Sequence, residues 1–500
     1  MASRRTQGPH AGKRVKQRGK KRRPPAPDYY VHHTDKDMLL LIPSEMEETV
    51  TVVKRVCTAE DTSPPVTTDS GWGSLMPHEI IHRVFRLVAD SEGAVPALCR
   101  LGQVCRLWHQ VASSPDLWQR VSVSRCWIIP NKKDPPRIRN KVKNTIEAVI
   151  QQRFSQVCHF TLQHWTYHSS VVLQSLSSSC PLLTSLTLSH CSNVTVDGLV
   201  SVGERCPHLT SLNLQDSQVD NHAVARFLGV RGATLRCLYL PFSCQTNNLL
   251  NLLASGSCPE LRLLEVNRGM KDMMSEVHVY AEGLQASCPK LEVLRLLNFI
   301  FSLKSRPSSS VKGPGFSHLQ EICLATSTYS IISDSICSTL LRDCTKLRVL
   351  DLRGCYRVSP ESICELPCTD LQHLYLGMYL STVNRILPSA GCSLLTRRWR
   401  HSLQELDLTG LNFSDSDLSQ ALGILSEGGV NNLLQSLNLT GTKVPATAVR
   451  DVLSSCQALT HLDLTSCRNM PRGMRSVYRG REDILQCLKT LCTRMQETGV

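Results

Sequence analysis

The segment Leu183-Thr-Ser-Leu186-Thr-Leu188 decides the fold, because its pattern of leucines returns at a regular interval along the chain. Three further copies follow at intervals of 26 residues each. Later intervals range from 24 to 32 residues, which predicts inserted loops around 302–315, 381–400 and 427–432. Counting a degenerate first copy at Val157, the 12 copies begin at Val157, Leu183, Leu209, Leu235, Leu261, Leu291, Leu319, Leu347, Leu371, Leu403, Leu434 and Leu459.

Each copy predicts one strand followed by one helix. The last two leucines alternate with polar residues, as a half-buried strand requires. The stretch 195–206 has helical spacing, in which Val196, Leu199, Val200 and Val202 face one side. One such unit cannot bury its own apolar face, whereas stacked units share a continuous core. The sequence therefore predicts a mixed α/β solenoid, which curves because strands pack closer together than helices.

Positive charge is concentrated at the N-terminus. Residues 1–27 hold ten Lys or Arg and no acidic residue, which leaves +4 of the formal charge of +14 for the rest. A wholly basic segment with no apolar face cannot offset its ordering entropy by burial, so residues 1–71 are predicted to be mostly disordered. The run Lys20, Lys21, Arg22 and Arg23 fits a nuclear import signal, although the same charge also suits RNA or chromatin. Import is preferred, nucleic acid is not expected as a partner, and the predicted location is the nucleus or cytoplasm, or both.

The remaining composition argues against several classes of function. There is no run of about 18 apolar residues and no signal-peptide apolar region after the basic segment, so no membrane partner is expected. The 23 cysteines are expected to be free and to behave as small buried hydrophobes in a reducing compartment. Paired CxxC knuckles, nucleophile elbows and phosphate loops are missing from the sequence, so no metal, cofactor or catalytic residue is predicted.

A short helical module precedes the repeats, over residues 72–118. Pro77 stands in a helix-starting position, and Ser114-Pro115 begins a third segment in the same way. The apolar positions of the first two stripes are Ile80, Ile81, Val84, Phe85 and Leu87, then Leu98, Leu101, Val104, Cys105 and Trp108. About 50 residues with so many large apolar side chains leave apolar surface exposed, which indicates a partner.

Two sets of motifs carry a family resemblance. The pattern Leu75-Met-Pro77-His-Glu79-Ile80-Ile81, followed by Val104-Cys105-Arg106-Leu-Trp108, resembles the F-box. Segments such as Cys180-Pro-Leu-Leu183 and Leu352-Arg-Gly-Cys355 resemble the cysteine-containing leucine-rich repeats of F-box proteins. The recurrence of cysteine in phase with leucine marks buried packing positions. Cys237 and Cys323 lie at outward strand positions and are expected to be exposed.

The resemblance implies an organisation and a function. The organisation is a disordered basic leader over 1–71, an F-box over 72–123, a basic linker and capping helix over 124–156, a solenoid over 157–470 and a C-terminal cap over 471–500. F-box proteins dock on Skp1, which connects them to cullin-1 and a RING subunit, so the chain is expected to be a non-catalytic receptor that selects a protein substrate for ubiquitination. The residues expected to bind Skp1 are Leu75, Pro77, Glu79, Ile80, Ile81, Val84, Phe85, Leu98, Val104, Cys105, Arg106, Trp108, Leu117 and Trp118. A ligase-independent scaffold or inhibitor remains the alternative.

The concave face of the strands is the expected substrate surface. Its polar residues alternate with the buried leucines, and acids gather toward its C-terminal half, which favours a basic segment of the substrate. The opposing interpretation is that aspartates in Leu-Asp-Leu are solvated or bonded to neighbouring strands. The residues expected to bind the substrate are Tyr239, Glu265, Arg295, Glu321, Asp351, Arg353, Tyr375, Glu405, Asp407 and Asp463.

Overall fold

The structure is a computed structural model that describes eleven segments of the chain. These segments are 30–33, 38–41, 76–123, 135–241, 246–267, 277–298, 301–303, 315–327, 330–378, 390–427 and 432–498. The chain divides into two compact units, Met1–Asp69 and Ser70–Val500. In the first unit, strands β1 (Tyr30–His33) and β2 (Met38–Leu41) pair in antiparallel fashion. The other residues of the predicted leader, including the import signal Lys20–Arg23, lie outside the described residues.

The second unit begins with three short helices and one 3-10 turn. They are α1 (His78–Glu92), α2 (Ala94–Leu101), α3 (Arg106–Ala112) and the turn Pro115–Trp118. The predicted second stripe is thus divided between two helices, with Cys105 as the N-cap residue of α3. Because Trp118 is fully buried, its indole needs a partner, and its Nε1 donates to the Ala112 carbonyl at 2.8 Å.

The helical module is joined directly to the sheet. Strand β3 (Arg120–Val123) buries Val121 and Val123 and pairs in parallel with β4 (His159–Gln163). The all-helical prediction for the F-box region therefore misses its last four residues, whose alternation suits a half-buried strand. Between these two strands, α4 (Pro136–Arg153) buries Val142, Ile146 and Ile150.

The repeats form a 14-stranded sheet. Every neighbouring pair is parallel except the last, and the strands lie in chain order, with β9 (Val277–Val279) and β11 (Phe301–Leu303) paired separately. Twelve of the described strands coincide with the twelve predicted copies, which confirms the mixed α/β repeat fold. They are β4, β5 (Ser185–Ser189), β6 (Ser211–Asn213), β7 (Cys237–Pro241), β8 (Leu263–Asn267), β10 (Val293–Leu297), β12 (Glu321–Cys323), β13 (Val349–Asp351), β14 (His373–Tyr375), β15 (Glu405–Asp407), β16 (Ser436–Asn438) and β17 (His461–Asp463).

Helices cover one face of this sheet, so the inward-facing leucines are buried, whereas the residues between them range from partly exposed, as in β5, to buried, as for Cys323 and Asp351. The helices are α5 (Ser169–Ser179), α6 (Val196–Arg205), α7 (Asn221–Arg231), α8 (Thr246–Ala254), α9 (Ala281–Ser287), α10 (Asp334–Leu341), α11 (Pro360–Cys364), α12 (Cys392–Trp399), α13 (Asp415–Ser426) and α14 (Ala446–Ser455). Helix α12 corrects the sequence prediction, which placed an inserted loop over all of 381–400. Trp399 is fully buried and donates to the Cys368 carbonyl, so this stretch is the helix of its repeat.

The repeating cysteines occupy two kinds of buried position. Cys180 and Cys206 end α5 and α6, and Cys206 Sγ lies 3.5 Å from the Cys180 carbonyl. Cys191 and Cys355 follow their strands and contact a carbonyl of the preceding repeat; Cys355 Sγ donates to Leu324 at 3.3 Å. Burial at these positions matches the prediction that the cysteines serve packing.

The chain then turns back at the end of the sheet. Strand β18 (Val477–Arg479) pairs antiparallel to β17, and α15 (Arg481–Thr498) follows it. Ile484, Cys487 and Leu491 of this helix are buried in the same continuous core as the repeats. Among the described residues, none of the helices combines the length and apolar character needed to cross a bilayer.

Candidate functional site

Helix α1 has two apolar faces. Ile81 and Phe85 are buried inside the module, whereas Ile80, Val84 and Leu87 are 48%, 44% and 65% exposed. Positions i, i+4 and i+7 lie along one side of a helix, so these three side chains form a single exposed stripe, which we call the apolar face. An exposed row of large apolar side chains usually marks a surface that another molecule covers.

The structure separates the residues predicted to bind Skp1 into two groups. Exposed or half-buried residues are Pro77, Glu79, Ile80, Val84, Val104, Cys105, Arg106 and Trp108. Buried residues, which pack the module and do not lie on its surface, are Ile81, Phe85, Leu98, Leu117 and Trp118. Leu75 lies outside the described residues. Leu87, the most exposed of the stripe, was not among the predicted contacts, although its spacing of seven from Ile80 was visible in the sequence.

A polar cluster holds α1 against the 3-10 turn. Asp116 Oδ2 contacts His82 Nε2 at 2.9 Å and Arg86 Nη2 at 2.5 Å. Burial alone raises the pKa of Asp116, but the hydrogen bonds from His82 and Arg86 outweigh burial and lower it overall. On the same helix, Phe85 meets Trp108 edge-on at 5.2 Å. These contacts fix the rotation of α1 and hence the direction of the apolar face.

The second candidate site lies on the open face of the sheet, the strand face. The strand register aligns one outward residue from each of ten strands, a set that we call the middle column: Asn213, Tyr239, Glu265, Arg295, Cys323, Asp351, Tyr375, Asp407, Asn438 and Asp463. This is the column that the leucine spacing predicts. Their binding role stays a prediction.

A cavity of about 540 Å³ opens on the strand face between β8 and β14. Six of the ten residues predicted to bind the substrate line it, while Tyr239, Glu405, Asp407 and Asp463 lie outside the lining. The lining residues are Glu265, Arg295, Leu297, Glu321, Cys323, Val349, Asp351, Arg353, His373 and Tyr375. Leu297 and Val349 were missed because apolar residues at outward strand positions were not considered.

Arg295 lies between two carboxylates on one side of the cavity. Its Nη1 contacts Glu265 Oε2 at 3.0 Å, and its Nε contacts Glu321 Oε1 at 2.5 Å. Gln215 donates to the other oxygen of Glu265. The hydrogen bond to Glu321, with a smaller contribution from Glu265, raises the pKa of Arg295 although burial acts against it. The guanidinium is therefore permanently charged and already paired.

Arg353 and Asp351 form the opposite side. Arg353 donates from Nε to Asp351 Oδ1 at 2.9 Å and from Nη2 to Oδ2 at 2.6 Å. Cys323 donates to the same carboxylate at 3.0 Å and is only 6% exposed, which corrects the expectation that this thiol is exposed. Burial first, and then the Asp351 charge, raise the pKa of Cys323, so it remains a protonated thiol.

The cavity ends in an aromatic pair beside another carboxylate. Arg353 Cζ lies 5.3 Å from the Tyr375 ring centre, and the His373 and Tyr375 rings stack at 6.3 Å. Tyr375 donates to Glu405 Oε2. Further along the column, burial alone raises the pKa of Asp463, but hydrogen bonds from Thr465 and Thr440 outweigh burial and lower it. Aspartates of this column thus do accept local hydrogen bonds, as the opposing interpretation states.

Two family models match segments of the chain. A model described as F-box-like matches residues 74–124, and a model described as Leucine Rich repeat matches residues 205–223. The chain therefore carries an F-box-like segment and, further along, a leucine-rich-repeat segment.

Individual relatives carry the same two domain names. The chain is 21% identical over 207 residues to Putative F-box/LRR-repeat protein 23 of Arabidopsis thaliana, over 41% of this chain and 38% of that protein. It is 22% identical over 239 residues to F-box/LRR-repeat protein 21 of Bos taurus, over 43% of this chain and 51% of that protein. The chain thus spans about half the length of these relatives or less. A chain from the crystal structure of the Rad7 and Elc1 complex in yeast is 17% identical, with a TM-score of 0.43 over 84% of this chain and 87% of that chain.

Proposed function

We propose that this protein is the substrate-recognition subunit of a Skp1-cullin-1-F-box ubiquitin ligase. The F-box-like helices dock on Skp1, through which cullin-1 and a RING subunit are reached, and the strand face binds the protein substrate. The observation that carries the proposal is the apolar face of α1, because three large side chains in line face solvent on a module whose own core is already filled. Burying them against a partner removes apolar surface from water.

The chain itself supplies binding in this scheme. Holding a substrate lysine near a ubiquitin thioester on another subunit replaces a bimolecular encounter with an effectively intramolecular one. Such a role needs two separate surfaces on one rigid frame. The apolar face and the strand face meet this need, since the core of α1 and the core of the repeats belong to one continuous cluster of buried side chains.

The test is capture of Skp1 and cullin-1 from cells by the full chain and by Val84→Asp. Val84 is exposed, and valine and aspartate have similar helix propensities, so the substitution leaves the fold intact. Leu182→Asp is the matched control, because Leu182 is 43% exposed, close to the 44% of Val84, but lies in the repeats. A chain lacking residues 72–121 gives the baseline.

We expect the full chain and Leu182→Asp to recover both partners, and Val84→Asp and the truncated chain to lose them. Circular dichroism and the melting temperature of Val84→Asp establish that it is folded. Recovery of Skp1 by folded Val84→Asp, or no recovery by the full chain, overturns the proposal in favour of a ligase-independent scaffold that uses the strand face alone.

A further inference from the structure

The cavity in the strand face lies where the middle column has its shortest side chain. Cys323 stands between Arg295 and Asp351 in the strand register, and its thiol donates a hydrogen bond to the Asp351 carboxylate. The longer arginines on either side lean toward their carboxylates. The depression is thus built from paired side chains over a buried floor, and its volume of about 540 Å³ is in the range of sites that receive a small group.

The charges of the cavity favour a cation. Its lining holds three carboxylates, Glu265, Glu321 and Asp351, against two guanidinium groups. Both guanidinium groups are engaged by these carboxylates, so an incoming anion has to displace a charged hydrogen bond that already exists. A cation needs no such displacement, because a carboxylate offers about four acceptor positions.

Glu321 is the best-placed acceptor. It receives a bond from Arg295 through Oε1, and its side chain is still 22% exposed. Asp351, by contrast, already accepts bonds from Arg353 and Cys323 and is almost fully buried. Glu321 is therefore the carboxylate that can accept a further hydrogen bond from a ligand in the cavity.

The apolar part of the lining points to the shape of the ligand. Val349 is a half-buried residue directly opposite Glu321 on the next strand, whereas Leu297, also half-buried, lines the cavity at the other end of β10. Lysine and arginine bury their methylene stems along apolar surface while their charged heads remain polar. A carboxylate beside an aliphatic side chain, as Glu321 is beside Val349, matches that combination. Exposed arginines that precede the strands, such as Arg236 and Arg348, do not line the cavity.

We propose that the cavity binds a lysine or arginine side chain of the protein substrate, with the charged head at Glu321 and the stem against Val349. This inference rests on the proposed function and names the class of substrate side chain that the strand face selects. The nearby Tyr375 ring and the paired Arg353 form the far wall and limit the length of the side chain that enters.

The test uses short peptides and the full chain. Four heptapeptides of glycine and serine carry arginine, lysine, citrulline or acetyl-lysine at the centre, and their binding is measured by titration calorimetry at low ionic strength, where screening is weak. We expect the arginine and lysine peptides to bind about tenfold more tightly than their neutral counterparts, as loss of one charge-assisted hydrogen bond implies.

Three variants locate the binding. Glu321→Gln removes the charge at the head position and is expected to abolish the preference for the cationic peptides. Val349→Trp fills the cavity from a half-exposed position and is expected to weaken all binding about tenfold or more. Ser185→Trp places the same bulky residue at the equivalent position of β5, far from the cavity, and is expected to bind like the unchanged protein.

Each outcome decides the proposal. Equal binding of the arginine and citrulline peptides, unchanged binding by Val349→Trp, or no binding of any cationic peptide overturns it. Skp1 capture by Glu321→Gln and Val349→Trp is measured in parallel. Normal Skp1 capture with no peptide preference removes only the cavity assignment, whereas peptide preference without Skp1 capture by the unchanged protein removes only the ligase assignment.

Discussion

Tyr375 on β14 donates a 2.6 Å hydrogen bond to Glu405 on the neighbouring strand β15. Burial first, and then this bond, raise the pKa of Tyr375. A raised pKa means that the neutral phenol stabilises the fold fully below about pH 10, the ordinary pKa of tyrosine, and that this contribution falls as the pH rises further.

Tyr375→Phe tests this bond. We expect the variant to lose about 1 kcal/mol of unfolding free energy at pH 7, the usual net value of one hydrogen bond. The difference from the unchanged protein should shrink above about pH 10, because unfolded tyrosine then ionises and phenylalanine does not. Urea unfolding at several pH values measures it, and a difference that stays constant at alkaline pH contradicts the assignment.

Asp116→Asn tests the cluster that orients α1. The lowered pKa of Asp116 means that its charge stabilises the fold above the ordinary aspartate pKa of about 4 and that this contribution is lost as the pH falls. The variant should therefore melt at a lower temperature than the unchanged protein at pH 7, and the difference should narrow as the pH falls below about 4. Scanning fluorimetry gives both values. Asp90→Asn, at an exposed position of the same helix, is the control and should change little.

Alanine substitutions at two glycines are expected to change the unfolding free energy in opposite directions. Gly354 has a φ of +81°, and a Cβ there meets the Thr326 carbonyl oxygen at 2.0 Å, so Gly354→Ala is expected to cost about 2 kcal/mol or more. Gly423 lies inside α13 with open space around it, so Gly423→Ala should stabilise by about 0.5–1 kcal/mol. Urea unfolding measures both, and destabilisation by Gly423→Ala contradicts the helix geometry.

The cysteines should divide sharply in reactivity. Burial raises the pKa of Cys355 to about 12, whereas Cys105 is exposed. Since the thiolate is the reactive form, iodoacetamide at pH 8 should label Cys105 in the native protein and reach Cys355 only after unfolding. Peptide mass spectrometry reads both sites in one sample. Labelling of native Cys355 at the rate of Cys105 is incompatible with the structure.

The leucine period predicts most of the fold because it reports burial directly. Leu186, Leu212 and Leu238 are all fully buried and stand opposite one another in the register. Two elements escape this signal. Strand β3 is too short to show a period and directly follows helical sequence, and α12 lies at the end of an interval whose extra length was assigned wholly to a loop.

The candidate sites are harder to predict from the sequence than the fold, because the exposure of a side chain depends on its neighbours. Alternation correctly puts Cys323 at an outward strand position, yet Asp351 and the adjacent arginines cover it. In the helical module, residue type does not separate Ile80 from Ile81. Only the direction of α1, fixed by Asp116 and by Trp108, decides which isoleucine faces solvent.

The attachment of the helical module through β3 makes the sheet a spacer of fixed length. Seven strand spacings of about 4.8 Å, or roughly 34 Å along the sheet, separate β3 from β12 beneath the cavity. Whatever the strand face holds is therefore presented at a set distance and angle from whatever covers α1. Inserting or deleting one repeat changes this distance by one strand spacing. The number of repeats therefore sets the distance between the two surfaces.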